Sequence, residues 1–268
     1  MIRRLWCRRC ALTVTIGVLA VVSACSGTSA SATSLTIYAA ASLKAALTKA
    51  DATYQAARPG LTITLSTDSS AALETQIEQG APADLFLSAD ASDPQKLVDK
   101  GLAAGSMTVF ARNHLTIIVP KADPAGISTP LDLVRPGVKI IAAGPEVPIT
   151  RYATQLVARL AKQPGYPADF AAEYAAHVVS QEINVSALVA KVGLGEGDAG
   201  ICYVTDAKTS DDVATVDVPD AANVPATYGG VVVKASASQA AAQAFLTWLA
   251  GSDGQAILAS FGFLPPAS

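Results

Sequence analysis

Apolar positions along the chain follow two alternating rhythms. Leu61-Thr62-Ile63-Thr64-Leu65 alternates apolar and polar residues at period two, the pattern of a half-buried strand. Short apolar runs at 35–38, 84–87, 115–119, 138–142, 177–179, 200–204 and 229–233 predict further strands. Between them the spacing changes to that of helices. Leu43, Leu47, Ala50 and Tyr54 share one helical face. So do Leu73 and Ile77, then Tyr152, Leu156 and Leu160, then Val185, Leu188, Val189 and Val192. Helices at 240–249 and 253–261 close the chain, with Phe245 and Trp248 read as core. Strands that alternate with helices predict an α/β fold of mostly parallel sheets with right-handed crossovers.

Several joints between strand and helix share one chemistry. Ile37-Tyr38-Ala39-Ala40-Ala41-Ser42-Leu43 runs from a strand into a helix, with Ser42 at the expected N-cap. In Ser66-Thr67-Asp68-Ser69-Ser70 the cap is Ser69 or Ser70. Pro148, in Pro145-Glu146-Val147-Pro148-Ile149-Thr150, is placed to begin a helix. Asn184 is placed to cap the helix that follows it. Helix starts present free N–H groups and a favourable dipole to anions. In open α/β sheets such joints lie at the carboxyl ends of strands, where ligands bind. For any one serine taken alone, plain helix capping is the better explanation, and it is the recurrence across four joints that weakens it. No joint carries a lysine, and Arg151 is the one basic residue nearby. That composition suits a buried anion held by neutral donors better than phosphate-ester chemistry.

The ends and the charge balance narrow the class. Arg3, Arg4, Arg8 and Arg9 precede an apolar stretch at 11–22 and then Ser23-Ala24-Cys25. A basic start, an apolar middle too short to span a bilayer and a small-residue cut site predict a signal peptide at 1–24. Val22-Ser23-Ala24-Cys25 resembles the bacterial lipobox, so Cys25 is expected to be lipidated; cleavage nearby with an incidental Cys25 is the alternative. Residues 25–33 then form the lipidated N-terminus and a flexible Ser/Thr/Ala/Gly tether. Loss of 1–24 removes four of the 19 basic residues and none of the 22 acidic ones, which leaves a net charge of −7. That argues against nucleic acid as a partner. Cys7 and Cys10 leave with the signal, so Cys202 would be the one unmodified cysteine and no disulfide is expected. His114 and His177 do not make a metal-ligand spacing, and no nucleophile elbow, P-loop or dinucleotide fingerprint occurs. An enzyme is not expected.

Certain stretches resemble a known family. They are Ala39-Ala40-Ala41-Ser42-Leu43, then Gln76-Ile77-Glu78-Gln79-Gly80-Ala81-Pro82-Ala83-Asp84-Leu85-Phe86-Leu87-Ser88-Ala89, then Val147-Pro148 with Tyr152-Ala153. Gly195-Glu196-Gly197-Asp198-Ala199-Gly200-Ile201-Cys202-Tyr203, Thr205-Asp206-Ala207 and Gly262-Phe263 continue the match. In these the chain is similar to the periplasmic molybdate-binding proteins of ABC importers. The resemblance implies a two-lobed periplasmic-binding-protein fold, each lobe a mostly parallel sheet flanked by helices, with a hinge between lobes. The implied lobes are 34–112 with 227–268, and 113–226. It implies a tetrahedral oxyanion, molybdate or tungstate, bound by Ser42, Ser70, the amides at Ile149 and Val185, and the Tyr203 hydroxyl. Molybdenum would enter only as bound molybdate, and no cofactor is implied. Implied partners are the membrane subunits of an ABC permease, with the protein an extracytoplasmic monomer held to the cell membrane through Cys25. Ile149 and Thr150 replace the small residue and glycine usual after the proline, and Asp68 is a possible acceptor near Ser70. Sulfate or phosphate on the same architecture is the nearest alternative. A hydrolase using Ser42 or Ser70, or a structural lipoprotein, are alternatives of other classes.

Overall fold

The computed structural model describes residues 33–267. The expected signal peptide at 1–24, the expected lipidation site Cys25 and the expected tether up to residue 32 lie outside the described residues. Two five-stranded sheets organise the rest. The first holds β1 (Thr33–Ala40), β2 (Leu61–Asp68), β3 (Leu85–Ser88), β4 (Thr108–Asn113) and the late β10 (Ala226–Val232), in the order β2-β1-β3-β10-β4. The second holds β5 (Leu115–Pro120), β6 (Ile140–Ala143), β7 (Val178–Glu182), β8 (Ala199–Tyr203) and β9 (Val213–Val216), in the order β7-β6-β8-β5-β9. In the first sheet β1 pairs parallel with β2 and β3, and in the second β6 pairs parallel with β7 and β8. The antiparallel pairs all involve β10 or β5, the strands on which the chain returns to one sheet or enters the other. Strand–helix alternation generates the parallel pairs; the crossings between sheets generate the rest.

The helices are α1 (Lys44–Ala56), α2 (Ser70–Glu78), α3 (Ser92–Asp99), α4 (Pro148–Leu160), α5 (Phe170–Ala176), α6 (Val185–Gly193), α7 (Val204–Lys208), α8 (Gln239–Ala250) and α9 (Ser252–Phe261). Leu43, Leu47, Ala50 and Tyr54 are buried, as are Leu188, Val189 and Val192. Phe245 is fully buried, and Trp248 packs at the edge of the same cluster, 4.8 Å from the Tyr54 ring. Register places the site. Ala40 pairs with Asp68 at the ends of β1 and β2, and Ala39 pairs with Leu87 in β3. Ala143 pairs with Glu182 at the ends of β6 and β7. The carboxyl ends of the parallel strands are therefore level, and the residues after each strand lie side by side.

Candidate functional site

Both sheets contribute those ends to one small pocket. The first supplies Ala40, Ala41, Ser42, Ser69, Ser70 and Ala89; the second supplies Val147, Pro148, Ile149, Asn184, Val185 and Tyr203. The five residues expected at an oxyanion site, Ser42, Ser70, Ile149, Val185 and Tyr203, all line it. The lining contains no histidine, carboxylate, lysine or arginine. Arg151, the nearby base, is paired instead with Asp90 and, at 3.7 Å, with Asp93.

Three helices start at this pocket, each for a local reason. Ser69 caps α2, its side chain accepting from the Ala72 amide at 3.2 Å. Pro148 opens α4 behind Val147. Asn184 caps α6, its Oδ1 accepting from the Ala187 amide at 3.0 Å. The amides of Ile149 and Val185 sit in first turns, where a helix offers no acceptor. Aligned peptide dipoles give those turns a partial positive charge.

Ser42 corrects its expected local role. It does not cap a helix. It lies within a 3-10 turn, Ala41–Leu43, and α1 begins only at Lys44 with Leu43 in the cap position. The turn delays the α-helix by one residue and sets Ser42 Oγ 3.1 Å from the Tyr228 hydroxyl oxygen. Ser70 does not cap α2 either; its Oγ accepts from the Ala89 amide at 3.0 Å. Thr150 donates to the carbonyls of Ala143 at 2.9 Å and Gly144 at 2.8 Å, so its side chain ties α4 to the end of β6. Asp68 does not line the pocket. Its Oδ1 accepts from the Ser69 amide at 2.7 Å and from Asn184 Nδ2 at 3.0 Å, a bond between the two sheets.

Tyr203 is 1 % exposed, and among the described residues its hydroxyl has no hydrogen-bond partner. Burial first, then neighbouring Tyr228, Tyr152 and Asp206, push its pKa well above the usual tyrosine range. It is a neutral donor with no acceptor among the described residues. An unmet buried donor costs about 1–3 kcal/mol unless something outside the described residues satisfies it. Sequence reasoning missed Ser69 as pocket wall and Tyr228 and Asn113 behind Ser42. Tyr228 is 186 positions from Ser42, and no local pattern could join them.

A larger cavity of about 270 Å³ lies behind Ile149, walled by α4, α5 and the second sheet. Its lining is mostly alanine, valine and isoleucine. Thr150 and Thr154 border it, but their hydroxyls are spent on backbone carbonyls. The smaller pocket, where donors converge, is the candidate site. His114 is exposed and His177 bonds the Leu133 carbonyl at 3.0 Å; neither lines that pocket.

Residues 35–264 match the family described as bacterial extracellular solute-binding protein. The chain is 33% identical over 241 residues to the molybdate-binding protein ModA of Mycobacterium tuberculosis, covering 90% of this chain and 88% of that one. Among solved structures it resembles the periplasmic molybdate-binding protein of Azotobacter vinelandii, with a TM-score of 0.74 and 23% identity over 87% of this chain and 100% of that chain. It also resembles the sulfate-binding protein SubI of Mycobacterium tuberculosis, with a TM-score of 0.78 and 22% identity over 87% of each. Both structures are two-lobed relatives in fold.

Proposed function

Because the chain belongs to the bacterial extracellular solute-binding protein family, we propose that it captures molybdate for an ABC importer. The oxyanion would sit between the two sheets, held by Ser42, Ser70, Tyr203 and the amides of Ile149 and Val185. One observation supports this reading above the others: a pocket built from both sheets presents hydrogen-bond donors and no side-chain charge. A fully deprotonated tetrahedral dianion offers acceptors only and satisfies every such donor. A protonated phosphate needs an acceptor as well, and Asp68, the nearest carboxylate suspected of that role, is engaged by Ser69 and Asn184. The relatives named for molybdate favour that anion over sulfate. Tungstate has the same shape and charge and belongs to the same ligand class. The pocket lining holds no histidine, carboxylate or lysine to serve as a general base for a serine, which supports a binding role.

The rest of the reading follows from a receptor's task. Lobes at 34–112 with 227–268 and at 113–226 would close on the anion about a hinge and present a joint surface to the permease. Monomeric protein would be tethered outside the cell membrane through a lipid on Cys25. Molybdate at a hundredfold its Kd should stabilise the protein by about 2.7 kcal/mol, which is roughly 5–11 °C in Tm at this size. The same addition should contract the protein in solution scattering. No shift with molybdate, tungstate or sulfate would remove the anion-receptor reading.

A further inference from the structure

A serine hydroxyl both donates and accepts, and what holds it from behind decides which role faces a ligand. For Ser70 the backbone decides. Its Oγ accepts from the Ala89 amide, which leaves its proton for the pocket. Ser42 has instead the Tyr228 hydroxyl at 3.1 Å, and either oxygen could donate.

Asn113 breaks the tie. Its Oδ1 accepts from the His114 backbone N–H at 3.0 Å. That fixes the amide and turns Nδ2 toward Thr205 Oγ1 at 2.8 Å and the Tyr228 hydroxyl at 3.4 Å. A tyrosine oxygen that accepts from Asn113 sends its own proton elsewhere. Among the described residues, Ser42 Oγ is the acceptor within its reach. Asn113 and Tyr228 are fully buried, and the Tyr228 ring is held edge-on against Phe110, Tyr203 and Phe263. Burial also lifts the Tyr228 pKa well above the usual tyrosine range, so the hydroxyl keeps its proton.

We propose that Asn113 and Tyr228 are positioning residues for the anion site, orienting the Ser42 hydroxyl so that its proton is left for the ligand. This rests on the anion-receptor reading above. The relay runs from Asn113, beside the crossing between the sheets, through β10 to the pocket wall. It makes Ser42 a donor before any ligand arrives and occupies one of the two lone pairs on its oxygen.

A double-mutant cycle separates positioning from packing. Wild type, Ser42→Ala, Tyr228→Phe and the double variant are titrated with molybdate by calorimetry. Tyr228→Phe keeps the ring and deletes the hydroxyl. It should weaken binding roughly three- to tenfold in the wild-type background, the value of one ordinary hydrogen bond. In the Ser42→Ala background it should weaken binding less than about twofold, because the hydroxyl it positions is already gone. Equal losses in both backgrounds would give Tyr228 a packing role only and overturn the proposal. Should Tyr228→Phe fail to fold, Asn113→Ala takes its place in the cycle with the same expected pattern. A wild type that binds sulfate but not molybdate contradicts the ligand assignment alone; the cycle is then run with sulfate and judged the same way. A wild type that binds neither anion overturns both.

Discussion

Ser42, Ser70 and Tyr203 line the pocket, and under the proposed anion site each deletion has a distinct expected result. Ser42→Ala and Ser70→Ala each remove a hydrogen bond to a charged ligand, worth on the order of 1.5–3 kcal/mol, or about ten- to a hundredfold in molybdate affinity. Tyr203→Phe should weaken binding with no loss of Tm, since the hydroxyl has no partner within the described protein. Unchanged calorimetric affinity in all three would place the anion elsewhere. These three residues were readable in the sequence only as a set: joint chemistry suggested the serines, and the resemblance added Tyr203. Their immediate geometry was not readable, because a 3-10 turn and a hydrogen bond from β10 decide where Ser42 points. Asp51, away from the pocket, gives a residue-scale prediction about stability. Burial pushes its pKa up to about 7, and its Oδ1 has no partner among the described residues. The folded state therefore holds this proton more tightly than the unfolded chain does, and stability rises as pH falls from about 8 toward 5. Asp206, also pushed to about 7 by burial, acts in the same direction. Asp51→Asn should raise Tm by several degrees at pH 8, from roughly 1–3 kcal/mol of relieved desolvation, and by little at pH 5. Thermal melts of both proteins at the two pH values check it; an equal change at both would refute the burial account.

Helix starts are the elements that make the site, and α6 shows how much one cap supports. Asn184 accepts from the Ala187 amide and donates to Asp68 on the other sheet. Asn184→Ala should cost about 1 kcal/mol for the cap, near 2–4 °C in Tm. It should also lower molybdate affinity, because the Val185 amide loses its fixed position. A variant with normal Tm and normal affinity would show that this start bears neither load. The starts of α4 and α6 were legible because Pro148 and Asn184 are local signals. Strands β4 and β9 were not, because nothing local marks them. Thr108–Asn113 lacks alternation and becomes a strand by pairing with β10 from far along the chain. Val213–Val216 pairs with β5 and sits within a polar stretch. The Gly-Ala-Pro-Ala-Asp block was legible as a family mark but not for its role. Asp84 accepts from the Thr36 amide at 2.7 Å and from Ser236 Oγ at 2.5 Å, so it braces the amino end of β3, at the opposite end of that strand from the pocket.

At the scale of the whole molecule, contacts between the sheets surround the pocket. Asn184 reaches Asp68, Arg151 pairs with Asp90 and Asp93, and the Thr227 amide donates to the Tyr152 hydroxyl at 3.2 Å. These contacts pair charge with charge outside the pocket, whose own lining carries no charged side chain. Where the protein resides is a further whole-molecule prediction. Cys25→Ser should release the processed protein from the membrane fraction, and its retention after signal cleavage would argue against a lipid anchor. The central claim is that this pocket takes a fully deprotonated tetrahedral dianion, and specifically molybdate. Titration calorimetry of the wild-type protein at neutral pH with molybdate and phosphate, sulfate serving as the size control, tests it most directly. Molybdate should bind with one site per chain, sulfate more weakly, and phosphate without measurable heat. Phosphate binding as tightly as molybdate, or sulfate binding alone, would contradict it.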